Sequence, residues 1–285
     1  MIHVIDFYNN LDLKIKYMIH YKMGFILSCS TIPTRINKLI QIIPMIKCRY
    51  KYFVINICTD YKRFGKFKVP KSLLQLCKTN KRVVFNFLYD YGAVCKYLGG
   101  FQFMKKKRLY DDKLIIIDDD TLYMKDLFYE LMDEKTNSNI TTGSGFDYDN
   151  DRYKIVEGST EMVEGYGGIC FDYKQCSDFI FYYSNYYKCI DNFKSDDIIQ
   201  KYLCASFLGD DFIISNVYDD KFAIKSGRQY IKPQDYGFNS DALHQNNVFG
   251  SNMGSYKYLN DNIKILNTFK LKYLLNKQIN EYSIL

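Results

Sequence analysis

Residues 113–123 place three consecutive aspartates directly after four branched apolar residues. The apolar run at 114–117 predicts a buried strand of a parallel sheet, because strands covered on both faces are continuously hydrophobic. The aspartates then follow the carboxyl end of that strand, the edge at which open α/β sheets bind ligands. If strand geometry continues through the run, Asp118 and Asp120 point to one side and Asp119 is turned aside.

A cation site is one interpretation of this aspartate run. Adjacent carboxylates disfavour one another's ionisation, so a counter-ion is expected nearby. Two hard oxygen donors on one side suit Mg²⁺ or Mn²⁺ bridging to a diphosphate. A solvated loop or a helix cap is the structural alternative for such a run.

Composition and charge narrow the class of partner. The chain has 285 residues, of which 47% are hydrophobic, enough for a core in one large domain or two small ones. The net charge is +7, and its Lys and Arg residues are scattered apart from runs at 62–68 and 105–108. This excess suits an anionic substrate as well as nucleic acid. No zinc finger, RNP-like sequence or arginine-rich tail favours nucleic acid, which we do not expect as a partner.

The cysteines and the N-terminus indicate a compartment. Nine cysteines are present, in wide spacings and without a C-x-x-C pair, so the sequence implies neither a disulfide framework nor a zinc site. The first residues lack the basic start and apolar segment of a secretory signal. No apolar run approaches the roughly 18 residues of a membrane span. We therefore expect a protein without a transmembrane segment in a reducing, cytoplasmic compartment.

The first half of the chain alternates apolar runs with helical patterns. Strands are predicted at residues 24–30, 52–58, 82–88 and 114–117, and helices at 36–45 and 93–104. Pro33 is expected in the first turn of the first helix, with Thr31 or Ile32 near its cap. This βαβ order predicts a Rossmann-like, mainly parallel sheet.

The second half is less regular. It contains two predicted strands, at residues 139–143 and 168–171, and four predicted helices, at 174–188, 195–206, 212–217 and in the tail. The glycine-rich stretch at 164–168 is expected to lead into the second of these strands. It is not a nucleotide fingerprint, because no predicted strand precedes it and no G-x-G-x-x-G occurs.

Several short motifs follow one another along the chain. They are S-C-S-T-I-P-T-R at 28–35, D-Y-G-x-x-x-K at 90–96, D-D-D at 118–120, E-G-Y-G-G at 164–168, G-D-D-F at 209–212 and His244. Their order resembles that of GT-A glycosyltransferases, and in particular of small glycosyltransferases of large DNA viruses. The resemblance covers residues 22–257. It implies a single-domain GT-A fold with a mixed, mainly parallel sheet flanked by helices, and the transfer of a sugar from a nucleotide sugar to a hydroxyl.

The resemblance implies a donor site along these motifs. Its members are Thr31, Arg35, Asp60, Tyr91, Lys96, Asp118, Asp119, Gly167, Gly168 and Lys257. Thr31 and Arg35 lie where helix amides attract phosphate, and Lys96 falls one helical turn after Gly92. Three structural alternatives remain open: a helix start with a surface arginine, a turn capped by Asp90, and a plain glycine turn.

The resemblance also implies a metal site and a catalytic base. Asp118, Asp120 and His244 are the expected ligands of Mn²⁺, or of Mg²⁺, and an imidazole ligand favours Mn²⁺. An inverting transfer needs a base beside the acceptor hydroxyl, for which Asp211 is favoured while Asp210 caps the following helix. A helix cap formed by both aspartates is the alternative, and inversion versus retention stays open.

The expected organisation follows from the same resemblance. Residues 1–20 form an N-terminal extension, 21–258 the catalytic domain and 259–285 a helical tail. The partners are a UDP-hexose, with glucose or galactose as the sugar, and an acceptor on a glycan or a glycosylated protein, a collagen-like one included. A homodimer is left open, and for a viral protein the compartment is the host cytoplasm.

Three rival functions were weighed against this one. An inactive carbohydrate-binding or scaffolding protein on the same fold is the non-enzyme alternative. A phosphatase of the haloacid dehalogenase type needs D-x-D-x-T on the first strand, whereas this run follows the fourth and Leu122 replaces the threonine. A sugar nucleotidyltransferase needs a glycine-rich N-terminal loop, which residues 29–33 do not provide.

Overall fold

The computed structural model describes residues 24–123, 125–132, 140–143, 145–149, 152–155, 158–159, 162–163, 165–173, 214–216 and 231–233. The predicted elements at 1–20, 174–188, 195–206 and 259–285 lie outside the described residues.

Short helices and strands alternate along the described part of the chain. The strands are β1 (Phe25–Ser30), β2 (Tyr52–Cys58), β3 (Asp60–Tyr61), β4 (Gly65–Lys66), β5 (Val83–Leu88), β6 (Lys113–Ile116), β7 (Thr121–Tyr123), β8 (Ile140–Thr142), β9 (Gly145–Asp149), β10 (Arg152–Ile155), β11 (Gly158–Ser159), β12 (Met162–Val163), β13 (Ile169–Asp172), β14 (Ile214–Asn216) and β15 (Ile231–Pro233). The helices are α1 (Ile36–Ile42), α2 (Lys71–Thr79), α3 (Cys95–Lys107) and α4 (Lys125–Leu131), with single 3₁₀ turns at Ile43–Met45, Gly92–Val94 and Gly165–Gly167.

Eight of the strands form one sheet in the order β11-β14-β8-β13-β6-β1-β2-β5. The four strands β6, β1, β2 and β5 are parallel to their neighbours within this group, and β14 is parallel to β8. Strand β13 runs antiparallel to both of its neighbours, and β11 is antiparallel to β14. The predicted α/β class with a mixed, mainly parallel sheet is therefore confirmed.

Both faces of this sheet are buried along β1, β2 and β6. Residues such as Leu27 and Ile55 point to one face, where they share a hydrophobic core with residues of α1, α2 and α4. On the other face α3 lies close to the strands, because its Gly99 and Gly100 have no side chains. A Cβ on Gly100 would lie 2.9 Å from Leu114 and Ser28. The continuous apolar runs of β1, β2 and β6 reflect this coverage on both sides.

The prediction of a helix at residues 212–217 is wrong. Ile214–Asn216 form β14, which pairs with β8 on one side and β11 on the other. A short segment with several apolar residues fits a strand as well as a helical turn, and pairing on both sides decides in favour of the strand. The element can be assigned only when its neighbours in the sheet are known.

Two local predictions also need correction. Helix α1 begins after Arg35, and no side chain caps its first turn. Pro33 lies before the helix, and the Thr31 hydroxyl donates to Asp119 instead of capping. The glycine-rich stretch does follow a strand, the two-residue β12, which pairs with β9 outside the main sheet.

None of the helices in the described part of the chain is both long enough and apolar enough to cross a bilayer.

Candidate functional site

The chain changes direction across the sheet between β1 and β6. From β1 it proceeds to β2 and β5 on one side, and it then returns to place β6 on the other side. Such a reversal opens a crevice at the carboxyl ends of the two strands, where α/β sheets bind ligands. The register pairs Ser28 with Ile116, and the two strands therefore end side by side. Thr31 and the aspartate run both follow this point.

The three aspartates contact residues of the first βα turn and of α3. The Lys96 Nζ lies 2.8 Å from Asp118 Oδ1. The Arg35 Nη1 lies 3.1 Å from Asp120 Oδ2 and 3.4 Å from Asp119 Oδ1. Residues that the sequence predicted separately for a donor site are thus brought together at one edge of the sheet.

Asp119 is turned away from its two neighbours, as predicted, but the cause is a turn and not the alternation of a strand. β6 ends at Ile116, and Asp119 and Asp120 lie in a turn, so strand alternation does not determine where the side chains point. Asp119 is turned inward, where the Thr31 Oγ1 donates to its Oδ2 at 2.7 Å. The Asp119 side chain is only 7% exposed, against 28% for Asp118 and 17% for Asp120. The two outer aspartates are therefore the ones open to a ligand.

Burial and like charge raise the pKa of Asp119 and of Asp120. Burial is the main cause that raises the pKa of Asp119 to about 6; Arg35 opposes this shift, and the charge of Asp120 adds to it. The pKa of Asp120 is also raised, first by burial and then by the charge of Asp118. A cation between the outer two carboxylates would relieve this repulsion.

The donor set fits a hard divalent cation. Carboxylate oxygens from Asp118 and Asp120 are the ligands that Mg²⁺ and Mn²⁺ prefer, and the charge of Asp118 contributes to the raised pKa of Asp120. Arg35 and Lys96 form ion pairs with the run, and Lys38 also lowers the pKa of Asp120. The positive charges of these side chains nearly balance the negative charges of the three aspartates. A divalent cation that binds together with a diphosphate adds little net charge, so the cluster stays close to neutral.

Two buried tyrosines hold the site in place. The Tyr123 hydroxyl accepts from the Asp118 backbone N–H at 2.9 Å. The Tyr61 hydroxyl donates to the Thr31 carbonyl at 2.7 Å and accepts from the Cys58 N–H at 3.1 Å. Sequence reasoning missed both residues, because nothing in their local pattern separates them from the other tyrosines among the 28 in the chain.

The turn before α3 combines a side-chain cap with a glycine in the left-handed backbone region. Asp90 Oδ1 accepts from the Gly92 N–H at 2.9 Å, and its Oδ2 accepts from the Lys62 N–H at 2.8 Å. Gly92 has a φ of 73°, which favours glycine. The turn is thus capped by Asp90, as the structural alternative predicted, and Lys96 after it also contacts the aspartate run. The Tyr91 ring packs on Tyr89 with centroids 5.1 Å apart.

Gly167 and Gly168 lie at the same edge of the sheet as the aspartates. They precede β13, whose first residue, Ile169, pairs with Ile116 at the end of β6. Gly168 has a φ of 78°, and a Cβ there would lie 3.8 Å from the Tyr123 ring. The glycines therefore border the tyrosine that holds Asp118.

The remaining predicted site residues divide into two groups. Asp60 is exposed in β3, where its backbone pairs with Lys66. Asp210, Asp211, His244 and Lys257 lie outside the described residues, and their predicted roles stay predictions.

Comparison with known proteins gives distant similarities in three dimensions. No protein-family model and no curated protein matches the chain. Among solved structures it is similar to the galactosyltransferase LgtC with donor and acceptor sugar analogues, at 10% identity and a TM-score of 0.40 over 64% of this chain and 69% of that one. It is also similar to the bifunctional glycosyltransferase WbbM, at 16% identity and a TM-score of 0.33 over 55% of this chain and 33% of that one. A third structure is an inositol-1-phosphate CTP transferase from T. maritima, at 12% identity and a TM-score of 0.37 over 68% of this chain and 84% of that one. Scores of this size do not decide the activity of this chain.

Proposed function

We propose that this chain is a metal-dependent glycosyltransferase of the GT-A type that moves a hexose from a UDP-sugar to a hydroxyl of a glycan or glycosylated protein. One observation carries the proposal: three aspartates converge with Arg35, Lys96 and Thr31 at the crevice between β1 and β6. The mixture of open carboxylates and cationic side chains suits a metal-bound diphosphate.

Each residue of the crevice has a role in this proposal. Asp118 and Asp120 would hold Mn²⁺ or Mg²⁺, which would neutralise charge on the leaving diphosphate. Lys96 and Arg35 stabilise the same charge from fixed positions. Asp119 holds Thr31 and Arg35 through its two oxygens, so that the turn is set before the donor arrives.

The catalytic base is the second part of the proposal. Asp211 removes the acceptor proton, and the neighbouring Asp210 is the alternative base. Asp211→Asn should abolish transfer while donor binding is kept, as measured by calorimetry with UDP-sugar and Mn²⁺. If Asp210→Asn has that effect and Asp211→Asn does not, the two roles are exchanged.

Slow hydrolysis of the donor tests the proposal without knowledge of the acceptor. UDP-glucose and UDP-galactose are incubated with the protein and Mn²⁺, and released UDP is measured. Wild type should release UDP only when metal is present. Asp120→Asn should lose at least tenfold of this turnover and keep its fold by circular dichroism, since metal-ligand losses have effects of about this size.

A matched control separates a local effect from a general one. Asp111 is exposed just before β6, at the opposite end of the strand from the run, and Asp111→Asn should hydrolyse the donor like wild type. Full activity in Asp120→Asn would reject the metal assignment. Binding of UDP-sugar without turnover would identify the chain as a carbohydrate-binding or scaffolding protein instead.

A further inference from the structure

Two cysteines and an aspartate lie close together at the turn that leads into α3. Cys58 is the last residue of β2, Cys95 is the first of α3, and Asp90 lies between β5 and α3. One ligand atom from each residue lies within 4.8 Å of the other two. Because the three come from separate elements, their sequence spacing shows no metal-binding motif.

The distances match those of a tetrahedral zinc site. Bonds of about 2.3 Å to sulfur and 2.1 Å to oxygen place two sulfurs roughly 3.8 Å apart and a sulfur and an oxygen roughly 3.6 Å apart. The Cys58 and Cys95 sulfurs are 4.0 Å apart, and the Cys95 sulfur is 3.5 Å from the Tyr89 carbonyl oxygen. The two sulfurs and the Asp90 carboxylate therefore supply three ligands within reach of one ion.

The surroundings of these atoms also suit coordination. The Tyr91 N–H donates to the Cys95 sulfur at 3.4 Å, and backbone N–H groups donate to both Asp90 oxygens. Such donors fix ligand orientation and stabilise negative charge on the ligand atoms. The two thiols are almost fully buried whereas Asp90 is half-buried, so a path for an ion opens on the carboxylate side.

We propose that Cys58, Asp90 and Cys95 form a site for one thiophilic divalent cation such as Zn²⁺, separate from the hard-cation site at the aspartate run. Binding releases the two thiol protons to solvent and joins both sulfurs to the ion. Occupancy ties the end of β2 to the start of α3, one residue before Lys96. The inference does not rest on the proposed glycosyltransferase activity.

Cobalt provides the direct test, because thiolate–cobalt charge transfer absorbs light in the near ultraviolet. The full chain is stripped with EDTA, kept reduced with a phosphine and titrated with Co²⁺ without oxygen. Wild type should develop the band at one equivalent and lose it when Zn²⁺ is added. A band that never appears would reject the proposal.

Variants assign the band to its ligands. Cys58→Ser and Cys95→Ser should lose it, and Asp90→Asn should bind at least tenfold more weakly, in line with typical losses of a ligand or its partner. Cys77→Ser, which changes a half-buried thiol on α2, should keep the band, and so should Asp120→Asn. A band that persists in Cys58→Ser or Cys95→Ser contradicts the assignment.

X-ray absorption of the zinc-loaded wild type avoids the risk that a variant does not fold. The spectrum should show two sulfur neighbours at about 2.3 Å and lighter oxygen neighbours. A spectrum with one sulfur neighbour or none would overturn the proposal. Excess Mn²⁺ should leave the spectrum unchanged, because soft thiolates select against hard ions.

Discussion

Tyr123 places the first aspartate of the run by a backbone contact rather than a side-chain contact. Its hydroxyl accepts from the Asp118 N–H, and its ring is 2% exposed in the core beside Phe128. This hydrogen bond fixes the backbone just where β6 has ended and strand pairing no longer holds it. Tyr123 is therefore a positioning residue for the metal ligands in the proposed mechanism.

Tyr123→Phe should weaken Mn²⁺ binding and lower stability. Removing the hydroxyl leaves the Asp118 N–H without this acceptor, a loss of about 1–3 kcal/mol in the free energy of unfolding. Electron paramagnetic resonance should show a several-fold rise in the Mn²⁺ dissociation constant, and urea unfolding measures the stability.

Tyr50→Phe is the control for this prediction. Tyr50 is also a buried tyrosine whose hydroxyl accepts a hydrogen bond, from Asn80 at 3.5 Å, but it follows the α1 region away from the aspartates. This variant should bind Mn²⁺ like wild type. Equal Mn²⁺ affinity in Tyr123→Phe and Tyr50→Phe would contradict a positioning role for Tyr123.

At the scale of elements, the contact between α3 and the sheet depends on two adjacent glycines. A Cβ on Gly99 would collide with the Asn56 side chain. Asn56 has little freedom to move away, because its Nδ2 donates to the Ser28 hydroxyl at 2.9 Å and to the Cys29 carbonyl at 2.8 Å. The helix that carries Lys96 thus sits at a distance from β1 and β2 that only glycine allows.

Gly99→Ala should destabilise the protein by about 1–3 kcal/mol, the usual range for overpacking a core. Alanine gains roughly 1 kcal/mol in helix propensity over glycine, and the collision exceeds that gain. Thermal unfolding of Gln102→Ala, an exposed change on the same helix, should differ from wild type by less than about 0.5 kcal/mol. If Gly99→Ala is as stable as Gln102→Ala, the Asn56 side chain can move away from the new Cβ, and the prediction is wrong.

The sequence predicted the bounds of strands better than it predicted which strands and residues contact one another. β2 was predicted with the observed bounds, and β1, β5 and β6 within one residue at each end, because an apolar run between turn residues is a local signal. The contact of Thr31 with Asp119 was not predicted, since it joins segments whose proximity depends on strand order. β14 was missed for the same reason, as its pairing with β8 lies outside any local window.

At the scale of the whole molecule, buried thiols make the fold sensitive to alkali. Cysteines 29, 48, 58, 77, 95 and 170 are free. Burial raises the pKa of Cys170 from 9.0 to about 12. An unfolded chain releases this proton near pH 9 and the folded chain keeps it, so the folded state binds more protons between pH 9 and pH 12. Stability therefore falls as pH rises through that window.

Cys170→Ala should flatten this dependence. Wild type should lose up to about 1.4 kcal/mol more per pH unit than the variant above pH 9, the value for one proton. Chemical unfolding at pH 8.0, 9.5 and 10.5 measures the slopes. Cys77→Ala, at a half-buried thiol, should change the slope less, and parallel curves for wild type and Cys170→Ala would contradict the role of this thiol.

The two sides of the crevice between β1 and β6 are synthesised at different times. The hydrogen bond from Thr31 to Asp119 spans 88 positions of the chain. Of the strands synthesised between them, β2 and β5 occupy the far side of β1, and β6 is the last to be made. A nascent polypeptide can therefore assemble β1, β2 and β5 on the ribosome before any of the three aspartates is synthesised. The aspartates join Thr31 and Arg35 only when β6 docks, so the proposed cation site would form at the end of assembly of the parallel half of the sheet.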